Sequence, residues 1–391
     1  MEWKSIERSL QSQLITLSDN DTIHLPEGNF MFTKSLIMDG KNGVVIQGQG
    51  MDKTILSFKN QTEGAQGLLI TNGENITLVD FAVEDAKGDN IKVSDTQGIV
   101  FRRVRSSWSG EPNNSNGAYA LYPVLCRQVV IEACEAIGSS DAGIYVGQSD
   151  SVIIRNNKAY WNVAGIESEN SRWVEIYENE AFDNTGGILI FDLPGLTQYG
   201  HTTKVHHNNV HDNNHENFAT PGNVVASIPP GTGTMILATH VLEMSHNVIK
   251  DNTTVGTALI SYEMVAAINA PAEQQENAVG GVQTVNNNYK MDSLYNPFPY
   301  RINIHHNTYE NSNWFPTMHH DIGKLFMIKS FLSPPDIAFD GIRPDDTSPE
   351  ICIQNNGEIV FLNLDAAHNF KNLSKEVGAF DCTGVSVELK Q

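Results

Sequence analysis

The chain has 391 residues, 40% of them hydrophobic and 18% charged, with 46 Asp plus Glu against 25 Lys plus Arg and a formal net charge of −21. That length supports one large domain or two ordinary ones, and the apolar share builds a packed core and excludes wholesale disorder. The acidic excess repels phosphate backbones and anionic lipid surfaces, which argues against nucleic acid as a partner, and no apolar run approaches the roughly 18 residues that span a bilayer.

From the N-terminus, Trp3, Ile6, Leu10 and Leu14 recur at helical spacing and predict a short amphipathic capping helix within residues 1–20. Asp21-Thr22-Ile23-His24-Leu25-Pro26-Glu27-Gly28 follows, then Val44-Val45-Ile46-Gln47-Gly48-Gln49-Gly50 and Thr54-Ile55-Leu56. Beyond them one pattern, apolar-any-apolar-any-any-Asn, repeats. It reads Val152 to Asn157, Val174 to Asn179, Leu242 to Asn247 and Ile302 to Asn307; Val205-His206-His207-Asn208 keeps its end, and Val129 to Cys134 carries Cys in the Asn slot. Ile76, Leu78 and Phe81, then Ile99, Phe101 and Val104, extend the alternation upstream. The Asn slots at 134, 157 and 179 are 23 and 22 residues apart, and the intervals to 208 and 247, 29 and 39 residues, fit the same unit with insertions. A second Asn recurs five residues later, at Asn162, Asn184, Asn213 and Asn252, and Gly-Ile pairs follow at Gly143-Ile144, Gly165-Ile166 and Gly187-Ile188.

A unit of about 22 residues with period-2 strands is too short for its own core, so neighbours must stack. Stacking places identical side chains about 4.8 Å apart, where asparagine amides bond into a ladder. Turns between the strands are expected to draw on Asn and Gly for left-handed backbone. A leucine-rich repeat has this length but needs a Leu pattern that is absent. The reading is an all-β, single-stranded right-handed parallel β-helix over 21–325, closed by the helix at 1–20 and by a C-terminal capping segment at 326–391, where the pattern fades around Ser333-Pro334-Pro335-Asp336.

Aligning coils on the Asn slot puts Ile144, Ile166 and Ile188 in one inward column, so their neighbours form outward columns: Tyr145, Glu167 and Leu189, then Gly147, Glu169 and Phe191, with Gln148, Asn170 and Asp192 at the strand ends. Glu167, Glu169 and Asp192, with Asp141 at the strand start, are candidate catalytic residues, and Tyr145, Gln148 and Asn170 candidate substrate-binding ones. Such a strip suits acid/base chemistry on a glycosidic bond or a Ca²⁺-type site; the bland alternative is solubilising carboxylates on a strand face. The insertion between 208 and 247 carries His215, Glu216 and Asn217, further substrate-binding candidates on an expected cleft wall, weighed against a self-bonded turn. His207, His211 and His215 are spaced four apart, which converges on a metal only in a helix, whereas this stretch reads as strand and turn. His207, His246 and His306 precede Asn slots and are expected to stack; no metal ligand is assigned, and His319-His320 has no assigned place. Cys126, Cys134, Cys352 and Cys382 form no CxxC pair and have no histidine at zinc-finger spacing, and a Cys352–Cys382 disulfide is open.

The opening segments and the repeat resemble pectin-lyase-like β-helix proteins from about residue 1 to at least 313. The runs Asp141 to Ser149, Gly165 to Ser171 and Phe191 to Gly195 resemble, within that superfamily, secreted bacterial parallel β-helix repeat proteins. The resemblance implies a secreted, periplasmic or cell-surface protein acting on a polysaccharide or oligosaccharide, with a partner protein open. Because Met1-Glu2-Trp3-Lys4 lacks a basic-then-apolar signal layout, that placement requires a signal already removed. Relatives include lyases, epimerases and hydrolases as well as non-catalytic spikes and adhesins. Between 126 and 203 the cations are Arg127, Arg155, Lys158 and Arg172, none in the Glu columns, which disfavours a Lys/Arg-dependent lyase and leaves a Ca²⁺-assisted one. The polygalacturonase Asn-Thr-Asp, Asp-Asp, Gly-His-Gly and Arg-Ile-Lys set is missing. The expectation is polysaccharide cleavage by a hydrolase or Ca²⁺-assisted lyase in a cleft on the helix face, with a non-catalytic glycan-binding or scaffold role, or a uronan epimerase, as alternatives.

Overall fold

The computed structural model describes residues 3–268, 286, 288–312, 334–344 and 350–389. Successive coils lay their strands in parallel onto two long sheets, of nineteen and eleven strands among the described residues. A typical coil gives Arg127–Glu132 and Glu135–Ile137 to the larger sheet and Ala142–Gly147 to the smaller one, then climbs one step to Asp150–Arg155. This is the right-handed parallel β-helix expected from the repeat, with a 14-residue helix, Trp3–Thr16, over its first coils. Leu10 and Leu14 of that helix are buried against the coil interior.

The register follows the repeat. Val152 pairs with Val174 and Ile154 with Ile176 on one sheet, and Ile144 with Ile166 and Ile166 with Ile188 on the other. Each apolar column points into a core where Ile144, Ile154, Ile166, Ile176 and Ile188 are all fully buried. Alternation therefore decides which half of every strand is core, and stacking makes that decision identical from coil to coil.

Two asparagine ladders turn the corners. The Nδ2 of Asn157 donates to Asn179 Oδ1 at 2.9 Å, and the same bond runs from Asn179 to Asn208, Asn208 to Asn247, Asn247 to Asn307 and Asn307 to Asn356. Each Nδ2 also donates to a backbone carbonyl of the preceding coil, as Asn179 does to Ile154, and each Oδ1 accepts the backbone N–H of the Asn before it. The second ladder links Asn162, Asn184, Asn213 and Asn252 in the same way. Cys134, in the Asn slot, ends the first ladder: its backbone N–H donates to Asn157 Oδ1.

The turn chemistry differs from the expectation in one respect. The left-handed residue is the one before each ladder position, Asn or Cys134, and it is often neither Asn nor Gly: Ala133, Glu178, His207, His246, Trp161 and Asp183 all have φ between 53 and 60°. The ladder satisfies so many turn groups that an ordinary side chain is held in a conformation costing about 1–2 kcal/mol. Glycine is needed elsewhere. A Cβ on Gly165 would sit 2.7 Å from both Asn184 Nδ2 and the Gly187 carbonyl oxygen, so the second ladder itself demands the Gly of the Gly-Ile pairs.

Past residue 325 the strands Ile337–Phe339 and Phe361–Asn363 extend the smaller sheet in parallel, and Ile351–Gln354 extends the larger one. A disulfide joins Cys352 to Cys382, and the tail returns to the coils, where Val387 N–H donates to Glu243 Oε2 at 2.6 Å. Cys126 and Cys134 are free and buried. His319-His320 lies outside the described residues.

Replacing Asn179 with Ala strands the Asn157 amide and the Ile154 carbonyl in a buried corner, so we expect a loss of about 3 kcal/mol in urea unfolding. Asn156→Gly, at the exposed turn position with φ 56°, should stay within about 0.5 kcal/mol of the parent. Equal losses in the two variants would refute the ladder as a source of stability.

Candidate functional site

The outer face of the smaller sheet carries the predicted strip, in the predicted register. Tyr145 pairs with Glu167 and Glu167 with Leu189; Gly147 pairs with Glu169 and Glu169 with Phe191. Glu167 and Glu169, two apart on one strand, have Cα atoms about 7 Å apart on the same face. Asp192 follows on the next coil and Asp141 opens the coil before.

The expected exposed cleft is not what the structure shows. Asp141, Glu167, Glu169, Asp192 and Tyr145 are all at most 3% exposed. The chain after Asp192 and the insertion beyond Asn213 fold over the strip instead of standing beside it, and the segment from Tyr262 joins them. Leu193, Val224, Val225, Ile228, Tyr262, Tyr289 and Tyr295 pack with Tyr119, Tyr122, Tyr145, Leu189 and Phe191 in a second apolar cluster outside the helix. The insertion is a cover rather than a wall.

Several residues predicted to bind substrate hold this cover. Asn170 donates to the Leu193 and Gln198 carbonyls, each at 2.8 Å, and its Oδ1 accepts the Leu193 N–H at 2.7 Å. Gln148 Oε1 accepts from Thr197 N–H at 3.1 Å and Thr197 Oγ1 at 2.7 Å. Asn217 donates to the Val225 and Ile228 carbonyls, each at 2.9 Å, while His215 N–H reaches the Asn184 carbonyl and Glu216 lies exposed. Tyr295 Oη donates to the Asp192 carbonyl at 2.8 Å. These side chains are anchors because both ends of the strip must clasp a long crossing segment whose backbone groups need partners.

Beneath the cover the carboxyl groups are short of partners. Glu169 Oε1 accepts the Tyr145 hydroxyl at 2.7 Å, and Asp192 Oδ1 accepts the Gly200 N–H at 2.7 Å. Glu167 Oε2 and Asp192 Oδ2 are buried with no hydrogen-bond partner. Burial raises Glu169 to about 7, against the help of the Tyr145 hydroxyl. Burial raises Asp192 to about 8, with Gly200 N–H and Arg172 opposing and Glu169 adding. Asp141 and Glu167 are held far above the ordinary range by burial first and by neighbouring carboxyls second.

Sequence reasoning missed Asp89, which is buried and raised to about 6 by desolvation against the pull of Lys92. Ile91 pairs with Leu121 and Leu121 with Ile144. Carrying the coil alignment two steps upstream on that column would have put Asp89 beside Tyr119. The covering tyrosines had no periodic signal to announce them. A groove is lined by Arg172, Gln198, Tyr199, His201 and Asp292, including both chain neighbours of Gly200, whose N–H binds Asp192, and the Tyr199 hydroxyl is bonded to Asp292. Among the described residues no three His, Cys, Asp or Glu side chains gather as a metal-binding set.

The chain has a right-handed parallel β-helix fold. A family model described as "right handed beta helix region" matches residues 112–270. Among solved structures, the chain is similar to the A-module of Azotobacter vinelandii mannuronan C-5 epimerase AlgE4, at 12% identity and TM-score 0.50, over 86% of this chain and 89% of that one. The A-module of AlgE6 from the same organism gives 15% identity and TM-score 0.51 over 79% and 83%. No curated protein matches by sequence.

An unfolded chain ionises these carboxyls near 3.8 to 4.5, whereas the folded one holds its protons until about 7 at Glu169 and about 8 at Asp192. Between those limits the native state binds more protons. The stability is therefore complete below pH 4 and is lost as pH rises towards 8. Asp192→Asn keeps the oxygen facing Gly200 and cannot ionise, so it should raise the melting temperature at pH 8 by on the order of 2–5 °C, with a smaller rise at pH 5. The same shift at both pH values would contradict the ionisation argument.

Proposed function

We propose that the protein is a carbohydrate-active enzyme that cleaves a polysaccharide by acid/base chemistry at the Asp141, Glu167, Glu169 and Asp192 strip. The observation that carries this reading is the pair of orphaned, buried oxygens, Glu167 Oε2 and Asp192 Oδ2, on either side of a Glu169 poised at about 7. Carboxyls kept protonated near neutrality are what a general acid at a glycosidic oxygen requires, and a second carboxylate on the same strip serves as base or nucleophile. The polysaccharide substrate is argued by likeness of fold to the mannuronan epimerase A-modules. Arg172 in the adjoining groove supplies the positive charge that an acidic sugar would need at the edge of an acidic site. A chain carrying the Cys352–Cys382 disulfide is suited to an oxidising, extracytoplasmic compartment, and no helix among the described residues is long and apolar enough to cross a membrane.

Turnover at these carboxyls requires the cover to open, since each is sealed beneath the tyrosine cluster. That burial also favours a second reading, a non-catalytic glycan-binding β-helix in which the strip is a neutral, protonated floor to the cover.

A panel of neutral and acidic polysaccharides, with and without added Ca²⁺, separates the two. New reducing ends alone define a hydrolase, reducing ends with unsaturated uronate a lyase, and retention of a glycan with neither product the binding module. Glu167→Gln and Glu169→Gln should each lower turnover by about 100-fold or more. Undiminished turnover in both would remove the strip from the reaction.

A further inference from the structure

The larger sheet carries a feature that the carboxyl strip does not use. At the end of the strands His201–His206 and Tyr300–His305, two neighbouring histidines face each other through their Nδ1 atoms: His206 and His207 at 2.8 Å, and His305 and His306 at 2.8 Å. The ring planes cross at 87° and 88°. In both pairs the outer nitrogen of the first ring faces a carboxylate, His206 Nε2 lying 3.1 Å from Glu175 Oε1 and His305 Nε2 3.5 Å from Glu243 Oε1. His206 is further fixed by stacking on Tyr177, with centroids 5.0 Å apart and planes at 5°. The second histidine of each pair is exposed and sits in the left-handed turn at φ 54°. Between the pairs, His246 stacks on His207 at 5.1 Å and on His306 at 5.4 Å.

A carboxylate on Nε2 fixes the proton there and turns the Nδ1 lone pair towards the partner ring, the orientation that second-shell carboxylates give to metal-binding histidines. In the metal-free protein a single proton, on Nδ1 of His207 or His306, fills the gap. Two nitrogens bound at about 2.0 Å and at a right angle on one ion stand about 2.9 Å apart, close to the spacing already present; tetrahedral bonding would force them to about 3.3 Å. The right-angle arrangement belongs to tetragonal Cu²⁺ and Ni²⁺, and Cu²⁺ leads the affinity order for nitrogen sites.

We propose that the turns His206-His207 and His305-His306 are two equivalent binding sites for a divalent transition-metal ion, Cu²⁺ foremost, each held through two Nδ1 atoms with water completing the coordination. On binding, the Nδ1 proton of His207 or His306 leaves to water and the exposed Nε2 of the same ring takes one up, so each ring stays neutral. This binding is independent of the carboxyl strip, which lies on the other sheet.

Titration of the untagged protein with Cu²⁺, followed by calorimetry and electron paramagnetic resonance, should show two ions per chain, each with nitrogen splitting from two imidazoles. His207→Asn and His306→Asn should each remove one ion and the double variant both. The fold tolerates this change because Asn355 fills the same turn position one coil beyond His306, at φ 54°. Glu175→Gln should weaken one site by about 10-fold or more, and His246→Asn should leave two ions bound. Failure of the parent to bind Cu²⁺, or undiminished binding by a double variant with unchanged circular dichroism, would overturn the assignment.

Discussion

Every part of this molecule depends on one distance, the rise from coil to coil. Parallel strands stack about 4.8 Å apart, and a side-chain amide donating to the next amide spans that step. Once Asn157, Asn179, Asn208, Asn247, Asn307 and Asn356 are bonded in series, the corner between strands is fixed at every coil. The apolar columns then close without adjustment. The ladder amides all point the same way, so each bond polarises the next, and loss of one member is felt by its neighbours on both sides.

That regularity explains why the fold could be read from the sequence. A periodic structure leaves a periodic trace, so the Asn slots gave the coil boundaries, the alternation gave the core face, and both together gave the pairing of Tyr145 with Glu167 and of Glu169 with Phe191. The stacking of His207, His246 and His306 followed from the same alignment. The surroundings of the strip did not. Tyr262, Tyr289 and Tyr295 reach it from segments with no repeat, and the burial of Glu167 and Glu169 is a property of those segments, not of the strand that carries them. Asn170 and Gln148 looked like sugar-binding groups for the same reason: their polar atoms were in the right place, but the loop that consumes them is separated from them by 28 and 49 residues.

The covered strip and the dihistidine turns show two ways a β-helix makes unusual chemistry from ordinary repeats. On the smaller sheet, insertions strip water from carboxyls that a bare strand face would leave solvated, and desolvation is the largest cause that holds Glu169 and Asp192 protonated towards neutral pH. On the larger sheet no cover is needed. The left-handed turn aims one ring at its neighbour, and a strand-face carboxylate one coil away, Glu175 for His206 and Glu243 for His305, selects the tautomer.

A solenoid is ordinarily a one-dimensional object in which each coil touches only the coils above and below. The clasp over the strip breaks that rule: Tyr295 is tied to Asp192 across 103 residues, and Asn223 reaches Asp141 across 82. Coils that would otherwise fray or twist one at a time are thereby yoked together along the side of the rod. The central stretch should consequently respond to pulling or to denaturant as one block, with the ends yielding first, so that the stiffest part of the protein is the part that buries its least comfortable carboxyls.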